Sequence, residues 1–265
     1  MDWKHLVTSI DQRGVATVTL NRPEIHNAFN DVMISELTEL FTQWSLQKTI
    51  RLVVVTGAGK SFCAGGDINW MKKMKDYSFE DNVRDAKIMG SMFWVINRFP
   101  RPVIACVNGP AMGGGVGLLS VADYVLAVDS ATFGLTETRL GLVPAVISPF
   151  VMAKIGHSNA RSTFLSGERF STQRAMQMGL VHQICGSGEL DACLEKTVHE
   201  FLKSGPLAQG EAKNLIFNVQ ALKTEEEILS LTATTIARVR ASCEGQEGMG
   251  ALLDKTTPSW CSEGR

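Results

Sequence analysis

The apolar positions change rhythm along this chain, and the change divides it. Residues 5–20 alternate loosely, with Arg13-Gly14 between two β-prone runs. That pattern predicts a hairpin whose second strand carries Val15, Val18 and Leu20. Asn30-Asp31 then offers a helix cap with a first-turn acid. Met33, Leu37, Leu40, Phe41 and Trp44 follow at helical spacing, which predicts a helix with Trp44 in the core. Residues 51–55, 103–107 and 124–128 are short apolar runs that read as buried strands. Between them, 68–74 predicts a helix opening after Asp67. Ser78 with Asp81 has the form of a capping box for a helix over 79–97. Phe99-Pro100-Arg101-Pro102 ends that helix, because proline removes a donor and restricts the residue before it.

After Phe150 the strand signal fades. Helices are predicted over 151–165, 172–178, 190–203, 206–222, 225–241 and 248–253, with Gly205-Pro206 as a clean break and helix start. The pattern therefore predicts an α/β core over 1–195 and a helical region over 196–265. Strands that alternate with helices need right-handed crossovers, and periodicity alone predicts a doubly wound sheet.

Two glycine-bearing stretches interrupt the apolar pattern. One is Asn108-Gly109-Pro110-Ala111-Met112-Gly113-Gly114-Gly115-Val116-Gly117, after the 103–107 strand. The other is Ser61-Phe62-Cys63-Ala64-Gly65-Gly66-Asp67-Ile68, after the 51–55 strand. Each reads either as a turn with close backbone packing or as a strand-to-helix loop aiming bare N–H groups at a ligand oxygen.

Together the two stretches resemble the crotonase superfamily of enoyl-CoA hydratases and isomerases. The resemblance continues through Leu20-Asn21-Arg22-Pro23, Asn27-Ala28-Phe29, Arg101-Pro102-Val103-Ile104-Ala105 and Ala122-Asp123-Tyr124. It extends to Phe133-Gly134, Leu140-Gly141-Leu142-Val143-Pro144 and Glu244-Gly245-Gln246-Glu247-Gly248, and so covers nearly the whole chain. It implies a ββα spiral core with C-terminal helices in trimer contacts, hence a homotrimer or dimer of trimers. It implies an acyl-CoA substrate, with coenzyme A as part of the substrate and no further cofactor or metal.

The same resemblance places an oxyanion hole on the N–H groups of Gly66 and Gly114. It places adenine contacts on the backbone of Ala64 and Ile68, beside Gly65 and Asp67. The loop Glu24-Ile25-His26 falls where the family grips the nucleotide and pantetheine, so His26 is a binding candidate. Glu24 replaces the family's usual lysine there. Lys255 matches a C-terminal lysine that reaches the 3′-phosphate, in some members from a neighbouring subunit.

Hydratases of this family use two glutamates. The second matches Glu137, in Phe133-Gly134-Leu135-Thr136-Glu137, but the first falls at Gly117. Glu137 alone must then be base, acid, or both in turn, a duty that a raised carboxyl pKa suits. Read from the residues alone, Glu137 is a surface glutamate paired with Arg139. Gly117 is expected to make room for a branched acyl chain, and a side chain at Gly114 to crowd the thioester.

The run from Glu137 to Phe150 and the ending through Leu252-Leu253-Asp254-Lys255 and Pro258-Ser259-Trp260 resemble bacterial methylglutaconyl-CoA and isohexenylglutaconyl-CoA hydratases. That implies hydration of a 3-substituted glutaconyl-CoA. The alternative is a Δ3,Δ2-enoyl-CoA isomerase that uses one glutamate as a proton shuttle. A distal carboxylate needs a cation or donors. Arg139 and His157 are near in sequence, though each also reads as structural.

Composition adds exclusions. Hydrophobic residues make up 45% and charged residues 20%, as in globular proteins. Some superfamily members bind RNA, but a net charge of −1 and no basic, aromatic-interleaved stretch argue against nucleic acid. No apolar run reaches the roughly 20 residues that span a bilayer, so no membrane association is expected. Met1-Asp2-Trp3-Lys4-His5 has neither a signal-peptide core nor transit-peptide character, so a cytoplasmic protein is expected. The 6 cysteines show no C-x-x-C pair. Cys63 and Cys106 flank the glycine stretches and read as nucleophiles or as buried inert thiols, the latter being expected.

Overall fold

A computed structural model of the protein describes residues 3–186 and 188–261; Met1 and Asp2 of the N-terminal stretch lie outside them. Two columns of strands organise the chain. The main sheet runs in the order β1 (Leu6–Ile10), β2 (Val15–Leu20), β3 (Leu52–Gly57), β4 (Val103–Val107), β6 (Tyr124–Val128) and β9 (Gln183–Cys185). β1 and β2 pair antiparallel as the predicted hairpin, and the later pairs are parallel. A second column holds β5 (Ala111–Met112), β7 (Thr132–Gly134) and β8 (Arg169–Ser171), extended by single bridges between Cys63 and Ala111 and between Phe29 and Gly66.

Each turn of the chain lays one strand in the main sheet, a short piece in the second column, and then a helix. β2 leads through Phe29 to α1 (Asp31–Ser45). β3 leads through 63–66 to α2 (Ile68–Met74) and α3 (Phe79–Asn97). β4 leads through β5 to α4 (Gly114–Val121), and β6 through β7 to α5 (Ser148–Ser166). The repeat is a ββα spiral, not the doubly wound sheet that periodicity predicts. The second-column strands are two or three residues long, too short to carry a period-two pattern.

Both faces of the main sheet are covered. Val18, Val53, Val55, Ala105, Val107 and Val125 join the larger core, with Phe29, Phe41 and Phe93. Val15, Leu52, Val54, Ile104, Cys106 and Leu126 pack on Val198 of α7 (Leu190–Leu202). Burial on both faces is why these strands read as unbroken apolar runs. Cap chemistry agrees with the sequence. Asn30 Oδ1 accepts from Met33 N–H at 2.9 Å, and Ser78 with Asp81 forms the capping box.

Residue 195 lies inside α7, so the structural break falls later, at Ser204-Gly205. Beyond it come α8 (Pro206–Ala221), α9 (Glu225–Arg240) and α10 (Cys243–Asp254). The short α6 (Thr172–Gln177) sits between β8 and β9. The sequence predicts only 248–253 for the last helix, because Gly245, Gly248 and Gly250 weaken its signal. Ser242 nevertheless caps it by accepting from Gly245 N–H at 3.0 Å. Among the described residues no helix is long and apolar enough to cross a membrane.

A buried ion pair ties the helical region to the sheet. Lys213 of α8 is 9% exposed, and its Nζ donates to Asp123 Oδ2 at 2.7 Å. The same oxygen accepts from Val103 N–H at 2.7 Å. Burial pushes the Lys213 pKa down, and Asp123 opposes that shift. Asp123→Ala would leave a buried ammonium without its anion, at a cost of about 3–5 kcal/mol. We expect it to lower the melting temperature by about 10 °C. The double variant Asp123→Ala/Lys213→Met should recover much of that loss in the same thermal melts.

Candidate active site

The first piece of the site is a turn with no glycine. Pro23 opens a 3-10 turn, Pro23–Ile25, and His26 and Asn27 follow with φ of 55° and 57°. Asparagine tolerates this left-handed region better than most residues, and Asn27 is fully buried. Its Oδ1 accepts from Arg22 N–H at 2.9 Å; its Nδ2 donates to the carbonyls of Ala58 and Ser61 at 2.9 and 2.8 Å. Arg22 donates to the Ala28 carbonyl and to Asp67 Oδ2, each at 2.7 Å. Burial alone would raise the Asp67 pKa. The Arg22 guanidinium and the N–H groups of Asn69 and Trp70 outweigh it and hold that carboxyl below its usual range. Asp67 also caps α2, accepting from Asn69 N–H at 2.7 Å. Arg22 and Asn27 thus fix the loop that carries Gly66. In the sequence they stand only among the motifs that carry the family resemblance, with no signal for this role.

The two glycine stretches dock backbone to backbone. Met112 N–H donates to the Cys63 carbonyl at 2.9 Å, and Phe62 and Cys63 N–H groups share the Pro110 carbonyl at 3.1 and 3.2 Å. Gly65 has φ of +90°. A Cβ on it would lie 3.0 Å from the Met112 carbonyl oxygen and 3.9 Å from Gly113 Cα. Phe29 N–H donates to the Gly65 carbonyl at 2.7 Å, and Asp67 N–H to the Phe29 carbonyl at 2.8 Å. In such a parallel bridge the N–H of the middle residue, Gly66, faces away from Phe29. Among the described residues neither Gly66 N–H nor Gly114 N–H has an acceptor. Gly114 opens α4, where N–H groups lack helical partners and the dipole is positive.

Glu137 reaches this junction from the next turn of the spiral. Gly113 N–H donates to the Gly134 carbonyl at 2.8 Å, which fixes the end of β7 against the glycines. A 3-10 turn, Glu137–Leu140, follows; Thr138 Oγ1 anchors it by donating to the Phe164 carbonyl at 2.8 Å. Glu137 Oε1 lies 3.1 Å from where a Cβ on Gly113 would sit. Its Oε2 is buried and accepts no hydrogen bond from the described residues. Burial pushes the Glu137 pKa up. The surface pair with Arg139 is not formed: Arg139 is exposed, and its Cγ packs toward Gly167. His157 is exposed as well, just past Gly156, where α5 is kinked.

The glycines of α4 face side chains from other turns of the chain. A Cβ on Gly114 would lie 2.9 Å from Phe29 Cε2, so a side chain there would strike the Phe29 ring. Gly117 leaves no room for a branched acyl chain. A Cβ there would lie 2.5 Å from Ile147 Cγ2 and 3.0 Å from Phe93 Cε1, and both side chains are buried. The sequence held no signal for either neighbour, because both come from other turns of the spiral.

The remaining candidates spread around the loop. His26 is exposed, with Nδ1 2.9 Å from Ser61 Oγ. Its carbonyl takes the Ala64 N–H at 2.9 Å, so Ala64 keeps only its carbonyl free for a ligand. Ile68, the first residue of α2, is exposed. Lys255 is exposed at the left-handed end of α10, and no hydrogen bond or ion pair joins it to the loop at 63–67. Cys63 and Cys106 are buried, and burial pushes both thiols up to about 12, which leaves them protonated and inert.

Two unpaired backbone donors and a carboxyl with a raised pKa are what stabilising a developing oxyanion and moving a proton require. The chain is similar to known proteins over nearly its whole length. The family model described as enoyl-CoA hydratase/isomerase matches residues 11–263. The crystal structure of an enoyl-CoA hydratase from Shewanella pealeana superposes with a TM-score of 0.94 at 35% identity, over 98% of this chain and 97% of that one. The 2,3-dehydroadipyl-CoA hydratase of Escherichia coli is 32% identical, over 96% of this chain and 98% of its own. The 1,2-epoxyphenylacetyl-CoA isomerase of Escherichia coli is 30% identical, over 94% and 95%. The chain has the crotonase fold and belongs to the enoyl-CoA hydratase/isomerase family of enzymes.

Proposed function

We propose that this enzyme adds water across the α,β double bond of a 3-substituted glutaconyl-CoA, of the methylglutaconyl-CoA type. The observation that carries the reading is Glu137: its carboxylate rests on Gly113, next to the first N–H of α4, with one oxygen unpaired. In this reading the thioester oxygen accepts from Gly66 and Gly114 N–H, and each donor contributes on the order of 3–4 kcal/mol to the enolate-like transition state. The Glu137 carboxylate takes a proton from water as the water oxygen bonds to the β-carbon. The carboxyl so formed returns a proton to the α-carbon, giving a 3-hydroxyacyl-CoA. Ala64, Gly65, Asp67, Ile68 and His26 would hold the nucleotide end, with Lys255 supplied by a neighbouring subunit. The relative named for 2,3-dehydroadipyl-CoA supports a substrate with a second carboxylate. Exposed Leu207, Leu229, Ile236, Leu252 and Leu253 on α8–α10 support a homotrimer or dimer of trimers, which we place in the cytoplasm.

One carboxylate also suffices for a Δ3,Δ2-isomerase, and an isomerase stands among the relatives. Product analysis separates the two, as a 3-hydroxyacyl-CoA against a shifted double bond. With 3-methylglutaconyl-CoA and crotonyl-CoA side by side, we expect rapid loss of conjugated thioester absorbance with the first and little with the second. No loss with either would remove the hydration reading.

Glu137→Gln should lower kcat about a hundred- to ten-thousandfold while changing KM little. The same substitution should stabilise the protein. Burial raises the Glu137 pKa in the folded state, so its contribution to stability is complete at low pH and lost as pH rises through the folded pKa. Glutamine keeps the neutral state. Thermal melts of Glu137→Gln should therefore lie above wild type at pH 8 and converge with it toward about pH 4.

A further inference from the structure

Three glycines near the start of α4 carry no side chain, and other turns of the chain fill the space each would need. Glu137 fills it at Gly113, Phe29 and Met89 at Gly114, and Ile147 and Phe93 at Gly117. Gly114 and Gly117 are three apart on α4 and so are neighbours on one side of the helix. Their fillers are continuous. The rings of Phe29 and Phe93 meet edge to face at 6.4 Å, and Phe93 lies 5.9 Å from Phe150. A Cβ on Gly90 of α3 would lie 3.7 Å from Val146 Cγ1, so the residue before Ile147 sits over that glycine. Ile147 is 2% exposed, and Phe29 and Phe93 are fully buried. An apolar wall of buried side chains therefore runs along α4 from Gly114 to Gly117.

We propose that Ile147, backed by Phe93, is a specificity-determining residue of the acyl site. Its Cγ2 takes the place of a side chain at position 117. It thereby sets how large a substituent on the acyl β-carbon the wall beside Gly114 admits, and it keeps a second carboxylate off that wall. The inference rests on the acyl-CoA reading above. Glycine at 117 is on this view a consequence of Ile147: the β-branch approaches so closely that no Cβ fits.

Two measurements test this. The first is a double-mutant cycle in thermal melts. On an unobstructed helix Gly→Ala raises the melting temperature by about 2 °C. Here Gly117→Ala should lower it by about 3 °C or more. Adding Ile147→Leu, which removes Cγ2 and keeps the volume, should restore at least half of that loss. A rise with Gly117→Ala alone overturns the packing argument. The second is calorimetric binding of butyryl-CoA and isovaleryl-CoA, which differ by one methyl on the β-carbon. Ile147→Ala should shift the ratio of their dissociation constants about tenfold toward isovaleryl-CoA. A ratio within about twofold of wild type overturns the specificity role, and failure of both thioesters to bind wild type overturns the acyl-CoA reading with it. Both thioesters are saturated and cannot be hydrated, so the ratio reads binding alone and stands even where 3-methylglutaconyl-CoA is not hydrated.

Discussion

The site depends on one close approach of backbone to backbone. The 63–66 loop lies against 111–115 so tightly that Gly65 needs φ of +90° and Gly115 meets the Cys63 carbonyl directly. Side chains at those positions would hold the loops apart. With the loops in contact, the N–H groups of Gly66 and of the first residue of α4 find no acceptor among the described residues. An unpaired donor is costly in a folded protein. Here the cost is tolerated where a ligand oxygen would remove it.

The contact is held by parts that take no place in the chemistry. Arg22 and Asn27 fix the preceding turn with side-chain hydrogen bonds to backbone, and Phe29 bridges Gly65 and Asp67 from the other side. The spiral makes this possible. Each turn sends a short extended piece into the second column, so pieces from four turns stack beside one another. Glu137 arrives from the turn after α4 and reaches the glycines because β7 pairs with β5.

The same arrangement opposes stability to function. A buried carboxylate oxygen without a donor destabilises the folded state near neutral pH, yet that oxygen is free to accept a proton. The apolar wall along α4 is the reverse case. Phe29, Phe93 and Ile147 are packed as core residues, Phe29 against Gly114 and the other two against Gly117. The shape of the site and the stability of the spiral are therefore set by some of the same side chains.

Much of this was legible in the chain. The caps at Asn30 and Ser78, the buried runs of β3, β4 and β6, and the break before Pro206 follow from local chemistry, and the structure keeps each of them. The glycine stretches and the ordered motifs around them pointed to the family, and that resemblance in turn singled out Glu137. The spiral was not legible, because its second column is built from pieces too short to show a period. Nor could the sequence tell what stands opposite a glycine. It suggested that Gly117 is open space, whereas Ile147 and Phe93 occupy it; contacts between turns of the spiral leave no local pattern. Local propensity thus determined the elements, and the family resemblance named the candidate donors. Only the tertiary structure decided which side chains surround them, because that depends on how distant turns stack.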